Sequence, residues 1–357
     1  MSATSSVSGT GARSLRGRVI AIYTVLACFN VGVWVWAFIA FHAQVLLLST
    51  GLIAWGFGLR HAVDADHIAA IDNVTRKLMQ DGKRPVSVGL FFALGHSAVV
   101  ILVAALVAVT ASVLQHNVAS WRGIGGIVST SVSALFLFLI ATMNIVILRG
   151  VWKAFNRVRR GLPYVEEDLD ILLGNRGLIA RLFRPLFRLV SNPLWMFPLG
   201  FLFGLGFDTA TEVSLLGISA TQASQGLSIW TILVFPALFA AGMSLVDTTD
   251  GILMLSAYEW AFVRPIRKLY YNLTITLVSV VVALLIGGIE TLGLIQDKLG
   301  LGEEAGAFWT AIATLNNNFN NLGFFIIGVF VVAWGMSYLI YKAKGLDDIE
   351  TQSAGSR

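Results

Sequence analysis

Residues 60–67 read Arg60-His61-Ala62-Val63-Asp64-Ala65-Asp66-His67, and they lie inside an apolar run, near 46 to 74, that is long enough to cross a membrane as a helix. Two imidazoles, two carboxylates and a guanidinium thus fall where ionisable groups are expensive, roughly +2.5 to +3.5 kcal/mol for a charge at mid-bilayer. A cluster of this kind marks an ion site, a relay or a pathway, and His together with Asp points to a divalent metal.

Seven further runs of similar length flank this one, near 19 to 41, 86 to 114, 127 to 148, 194 to 218, 230 to 257, 271 to 293 and 322 to 341. Of the 357 residues 56% are hydrophobic and only 13% charged, with a mean hydropathy of +0.78, which excludes an ordinary soluble domain. Backbone amides in lipid must be satisfied within the segment, and no alternation typical of a barrel is present. The expected fold is therefore an all-α integral membrane protein with eight transmembrane helices.

Positive charge gives the orientation, because cytoplasmic loops retain Lys and Arg. With both termini cytoplasmic, only Arg122 and Lys298 fall outside and Arg60 lies within the second span; all the others of the 25 Lys and Arg residues fall inside. That count places Arg76, Lys77, Lys83 and Arg84 in the loop after the second span, and nine arginines and lysines in the loop 149–193. The chain then divides into a cytoplasmic tail (1–18), an eight-helix transporter domain (19–341) and a second cytoplasmic tail (342–357). The net charge of +5 reports this topology and attraction to anionic lipid, not nucleic-acid binding. The first span lacks a small-residue cleavage site and is expected to be retained. A single cysteine, Cys28, excludes an internal disulfide and a thiolate cluster.

Polar groups inside the spans fall into two pairs. Phe57-Gly58-Leu59 precedes Arg60 to Asp66, as Phe203-Gly204-Leu205 precedes Gly206-Phe207-Asp208-Thr209-Ala210-Thr211-Glu212, 146 residues apart. Gly95-His96-Ser97-Ala98-Val99 aligns with Gly242-Met243-Ser244-Leu245-Val246 at an offset of 147. Nearly equal offsets predict a repeat relating helices 2–3 to helices 5–6. Helices 2 and 5 are three crossings apart and so run in opposite directions, which makes the repeat inverted, an arrangement that places a substrate site between the halves near the midplane.

On a straight helix at ~100° per residue, His61, Asp64 and His67 share one broad face, while Asp66 lies too far around to chelate the same ion easily unless the helix unwinds near Gly56 and Gly58. Asp66 can instead orient an imidazole. One helix offers too few ligands, and His96 is the natural additional donor. Asp208, Thr209, Glu212, Asp247, Thr248 and Asp250, with Arg60, are candidates for the pathway or its gate. His42 and His116 read as surface histidines, and Asn316 to Asn321 as an outside loop.

The His61-(four residues)-Asp66-His67 pattern resembles the defining motif of the nickel/cobalt transporter family, eight-helix secondary permeases. Leu94-Gly95-His96-Ser97, Leu205 to Glu212 and Gly242-Met243-Ser244-Leu245-Val246-Asp247-Thr248-Thr249-Asp250-Gly251 are similar to the family's other signatures, in the same order, and none departs from its pattern. The resemblance covers essentially the whole chain and is closest to bacterial high-affinity nickel permeases. It implies import of Ni²⁺ or Co²⁺ across the bacterial cytoplasmic membrane, with His61, Asp66 and His67 essential, and no enzymatic activity. The ions and the bilayer are the expected partners, with no cofactor, nucleic acid or obligatory protein partner.

Physical chemistry agrees with that class. Imidazole and carboxylate donors disfavour Cu(I) and suit Ni²⁺, Co²⁺ and Zn²⁺, among which geometry must discriminate. Two charges moving inward down 100 mV gain about 4.6 kcal/mol, so membrane potential or proton motive force suffices, and no phosphate-binding loop appears. Two readings compete. A metal exporter using proton antiport often carries a His-rich cytoplasmic loop, which 149–193 lacks. A membrane metalloenzyme needs more than five histidines for a di-iron centre, or a His-Glu-x-x-His motif for zinc proteolysis, which is absent.

Overall fold

The computed structural model describes residues 5–42, 44–110, 115–160, 191–205, 210–261, 265–301 and 306–343. Among them no strand occurs. The helices are α1 (Ser5–Phe41), α2 (Val45–His61), α3 (Ala65–Gln80), α4 (Val88–Thr110), α5 (Gln115–Arg159), α6 (Met196–Phe203), α7 (Ala210–Ser224), α8 (Ile229–Ile232), α9 (Val234–Ala261), α10 (Pro265–Leu299), α11 (Ala307–Asn317) and α12 (Phe319–Ala343), with a 3₁₀ turn at Pro193–Trp195. Six stretches are long and apolar enough to cross a membrane: Leu15–Phe41, Val88–Ala108, Thr130–Arg157, Ile229–Tyr258, Leu269–Leu299 and Asn321–Ala343. The bent pair α2–α3 makes a seventh. The protein is thus a multi-pass, all-helical membrane protein. The run near 194 to 218 is not one long helix but the short α6 and α7, with 206–209 outside the described residues.

The second span differs from the straight helix its sequence suggests. It breaks at Ala62–Asp64, and its halves are bent by 52°. Neither Pro nor Gly causes the break, and the helix does not unwind at Gly56 or Gly58. The turn is closed by Val63 N–H donating to Arg60 O and Asp64 N–H to His61 O, at 3.1 and 2.9 Å. Asp64 occupies the N-cap of α3, yet its carboxylate makes no capping bond, because it turns back to His61 Nδ1 at 2.9 Å. Non-helical backbone at membrane depth survives only where protein covers it. Gly323 of α12 supplies that cover: a Cβ there would stand 1.5 Å from Val63 O.

Every residue of α3 from His67 to Met79 is buried, although the helix carries Asp72, Asn73, Thr75, Arg76 and Lys77. It is packed against α4, α5, α9, α10 and α12. Arg76 and Lys77, expected in a cytoplasmic loop, are therefore helical and buried, at 1% and 7% exposure. Likewise Asn316 and Asn317 end α11 and Asn320 and Asn321 begin α12, where an outside loop was expected. The helix α5 runs on to Arg159, and the remainder of the expected loop to residue 190 lies outside the described residues.

Glycines set the closest helix approaches. Between α2 and α9, a Cβ on Gly58 would stand 2.0 Å from Phe239 O and one on Gly242 2.5 Å from Trp55 O. The same paired contact recurs between α6 and α4, where Gly200 would meet Phe92 O at 2.1 Å and Gly95 would meet Phe197 O at 1.9 Å. The two contacts are related by 142 residues on the broken helices (58 to 200, 55 to 197) and by 147 on their partners (95 to 242, 92 to 239). Small residues let backbones come this close. The pairing equates Gly58 with Gly200, not with Gly204 as the motif alignment had it. The two registers differ by four residues.

Candidate metal centre

Three helix segments bring three imidazoles together. His61 ends α2, His67 lies in the first turn of α3, and His96 comes from the middle of α4. Their ring centroids form a nearly equilateral triangle, 4.7 Å between His61 and His67, 4.8 Å between His61 and His96 and 4.9 Å between His67 and His96. One ligand nitrogen from each lies within 4.8 Å of the others, and all three side chains are buried. Phe92 packs its edge on His67 and Phe239 leans on His61, so the triangle is walled by aromatic rings.

Carboxylates fix the imidazoles from behind. Asp64 Oδ2 lies 2.9 Å from His61 Nδ1, and Asp247 of α9 accepts from His67 Nδ1 at 3.3 and 3.4 Å through its two oxygens. Each pairing engages Nδ1, across the ring from Nε2. His61 Nε2 stands 3.0 Å from His96 Nε2, and His67 Nε2 is buried with no hydrogen-bond partner among the described residues. Glu212, in the first turn of α7, places Oε1 2.9 Å from His96 Nε2 and 3.8 Å from His61 Nε2. A carboxylate holding one ring nitrogen selects the tautomer whose other nitrogen offers a lone pair to a metal.

Not all the expected residues converge. Asp66 is partly exposed and is not a member of the triangle. Arg60 is exposed and turns away to α12, where Nη2 donates to Asn321 Oδ1 at 3.1 Å and the guanidinium lies 5.6 Å from the Phe324 ring centre. Thr248 Oγ1 and Asp250 Oδ2, next to Asp247 and one turn beyond it, are buried atoms without a hydrogen-bond partner among the described residues. Asp208 and Thr209 lie outside the described residues. Thr211, in the Leu205–Glu212 segment, puts Oγ1 3.4 Å from His61 Nδ1.

A second polar cluster escaped the sequence reading altogether. Asp72, fully buried on α3, accepts from Tyr258 of α9 and from Ser279 of α10, the latter at 2.8 Å. Next to it, Asn73 Oδ1 accepts from Arg76 and from Asn144, both at 2.8 Å. The available signal was the position of Asp72 and Arg76 on the same face, one helical turn apart, within the polar second span.

With this fold and site in hand, comparison with known proteins defines the class. Residues 47–340 match the family model described as "High-affinity nickel-transport protein". The chain belongs to that family of nickel-transport proteins. It is 58% identical over 338 residues, 95% of each chain, to the High-affinity nickel transport protein of Cupriavidus necator. It is 47% identical to the Nickel transporter NixA of Staphylococcus aureus, over 83% of this chain and 86% of that one. To the Cobalt transport protein NhlF of Rhodococcus rhodochrous it is 40% identical, over 84% of both chains. No solved structure matches the chain.

Proposed function

We propose that the chain imports Ni²⁺ or Co²⁺ across the bacterial cytoplasmic membrane as a secondary transporter, and that the His61–His67–His96 triangle is its intramembrane transit site. One observation carries the reading: three buried imidazoles converge from three helix segments while carboxylates hold two of the rings by Nδ1. Such a donor set is built for a divalent cation of the nickel, cobalt and zinc group. Relatives named for nickel and for cobalt support the same cargo class.

Eight crossings with both termini cytoplasmic complete the scheme, α6 and α7 together forming the fifth span as a broken helix like α2–α3. The recurring glycine contacts favour two halves related as an inverted repeat, with α2, α3 and α4 in one and α6, α7 and α9 in the other. Rocking of one half against the other alternates access to the site. Asp66, partly exposed beside the triangle, lowers the cost of the ion's approach. Thr248 and Asp250 serve the inner path, and membrane potential or proton motive force drives the ion inward. Binding is moderate, because the ion must leave again.

The test is uptake of trace radioactive nickel, competed with cobalt and zinc, in cells expressing the chain or its His67→Ala variant at equal membrane abundance. Accumulation that the variant abolishes, and that a potential-dissipating ionophore stops, supports the importer. Faster loss of metal from preloaded cells would instead favour an exporter.

A further inference from the structure

We propose that Glu212 is the oxygen donor that completes the three-imidazole site, so that the transported cation is held jointly by both halves of the molecule. The inference rests on the reading of the triangle as the transit site. Three observations carry it.

The first is position. Glu212 Oε1 is in contact with two of the three inward nitrogens at once, 2.9 Å from His96 Nε2 and 3.8 Å from His61 Nε2. Asp64 and Asp247, by contrast, meet their imidazoles at Nδ1, on the side away from the triangle. Glu212 therefore occupies the ligand side of the site, whereas the other two carboxylates occupy its back. Its side chain is buried, at 2% exposure, so the oxygen faces the cluster and not water.

The second is origin. The imidazoles are all carried by α2, α3 and α4, and Glu212 is carried by α7. Thr211, its neighbour, also reaches His61, so the start of α7 touches the cluster at two points. A cation bound by the imidazoles and by Glu212 ties α7 to the opposing segments, and withdrawal of α7 removes one ligand without disturbing the other three.

The third is the repeat. Where one half carries His61 against Phe239, the other carries Phe203 against Phe92, at centroid separations of 5.5 and 5.3 Å. His96 corresponds to Met243 at the offset of 147. After the breaks, Asp66 corresponds to Glu212 at an offset of 146, each in the first turn of its helix. The second half thus presents apolar side chains where the first presents imidazoles, and a carboxylate one methylene longer where the first has Asp66. That longer arm reaches the triangle.

Three nitrogens and one oxygen form a mixed site whose geometry, not affinity alone, ranks Ni²⁺ against Co²⁺. Glu212 is then a residue that sets metal preference. The full chain, purified in detergent and titrated with Co²⁺, reports the ligand set through its visible d–d bands. E212Q is expected to keep the wild-type thermal midpoint, to bind Co²⁺ about 10–100-fold more weakly and to shift the bands; E212D is expected to recover part of the affinity with bands of its own. Unchanged affinity and bands in E212Q, while His67→Ala weakens binding, would overturn this inference and leave the transit site standing. Equal binding in wild type, E212Q and His67→Ala would overturn the transit site itself. Should E212Q fail to fold, E212D with wild-type affinity and wild-type bands overturns the inference equally.

Discussion

His67 of α3 is held by Asp247 of α9 through both carboxylate oxygens, at 3.3 and 3.4 Å from Nδ1, across 180 residues of chain. The contact orients the ring whose Nε2 has no hydrogen-bond partner among the described residues. Asp247→Ala removes the orienting group while leaving all three imidazoles in place. Nickel uptake at low external concentration should fall about 10–100-fold at equal membrane abundance. Uptake indistinguishable from wild type would show that the imidazole needs no support from α9.

Gly323 separates packing from chemistry. A Cβ at this position would lie 1.5 Å from Val63 O in the α2–α3 break, whereas one at Gly328 or Gly335 of the same helix meets nothing within 4 Å. Gly323→Ala should cost at least the ~1–3 kcal/mol of an overpacked core and lower both the detergent melting point and transport. Gly328→Ala and Gly335→Ala should change neither. Comparable melting points for all three variants would contradict the backbone approach.

Tyr258→Phe deletes one of the two hydroxyls that donate to the buried Asp72 carboxylate. Loss of a partner to a buried charged group costs roughly 1–3 kcal/mol, which thermal unfolding of the purified protein should register. Ser256→Ala, whose hydroxyl among the described residues bonds to the carbonyl of Ile252 in its own helix, serves as the neutral comparison. Equal midpoints for the two variants would remove Asp72 from the stability argument.

Protons compete with the cargo. A cation needs the nitrogen lone pair that a proton would occupy, so binding weakens as pH falls through the ordinary imidazole range. Initial nickel uptake should therefore drop several-fold between about pH 7.5 and 5.5 at clamped membrane potential. A flat profile would argue against imidazole ligation.

The convergence of His61, His67 and His96 in a candidate site was legible in the sequence, because an ionisable group in an apolar run announces itself. The means of convergence was not legible. A straight helix would put His61 and His67 on one face by periodicity, whereas the chain breaks between them and sets the two rings on separate helices. Ala62 and Val63 carry no breaking signal. The break is held by Asp64 turning back to His61 and by the backbone of α12 at Gly323, and both are tertiary facts. Arg76 and Lys77 were assigned to a loop for a related reason: nothing local in α3 says that five other helices enclose it. Glu212 and Asp247 were recognisable as intramembrane acids, but which imidazole each meets depends on the packing of α7 and α9.

The enclosure of α3 also bears on how the protein is made. A helix with Asp72, Asn73, Arg76 and Lys77 has little reason to stay in lipid by itself. Its carboxylate finds its hydroxyl donors only at Tyr258 and Ser279, 186 and 207 residues further along the chain. Synthesis from the amino end therefore leaves α3 without α9, α10 and α12 until most of the polypeptide has emerged. The span that bears His61 and His67 is among the first to be translated and among the last to settle, and its final docking is a late step of biogenesis.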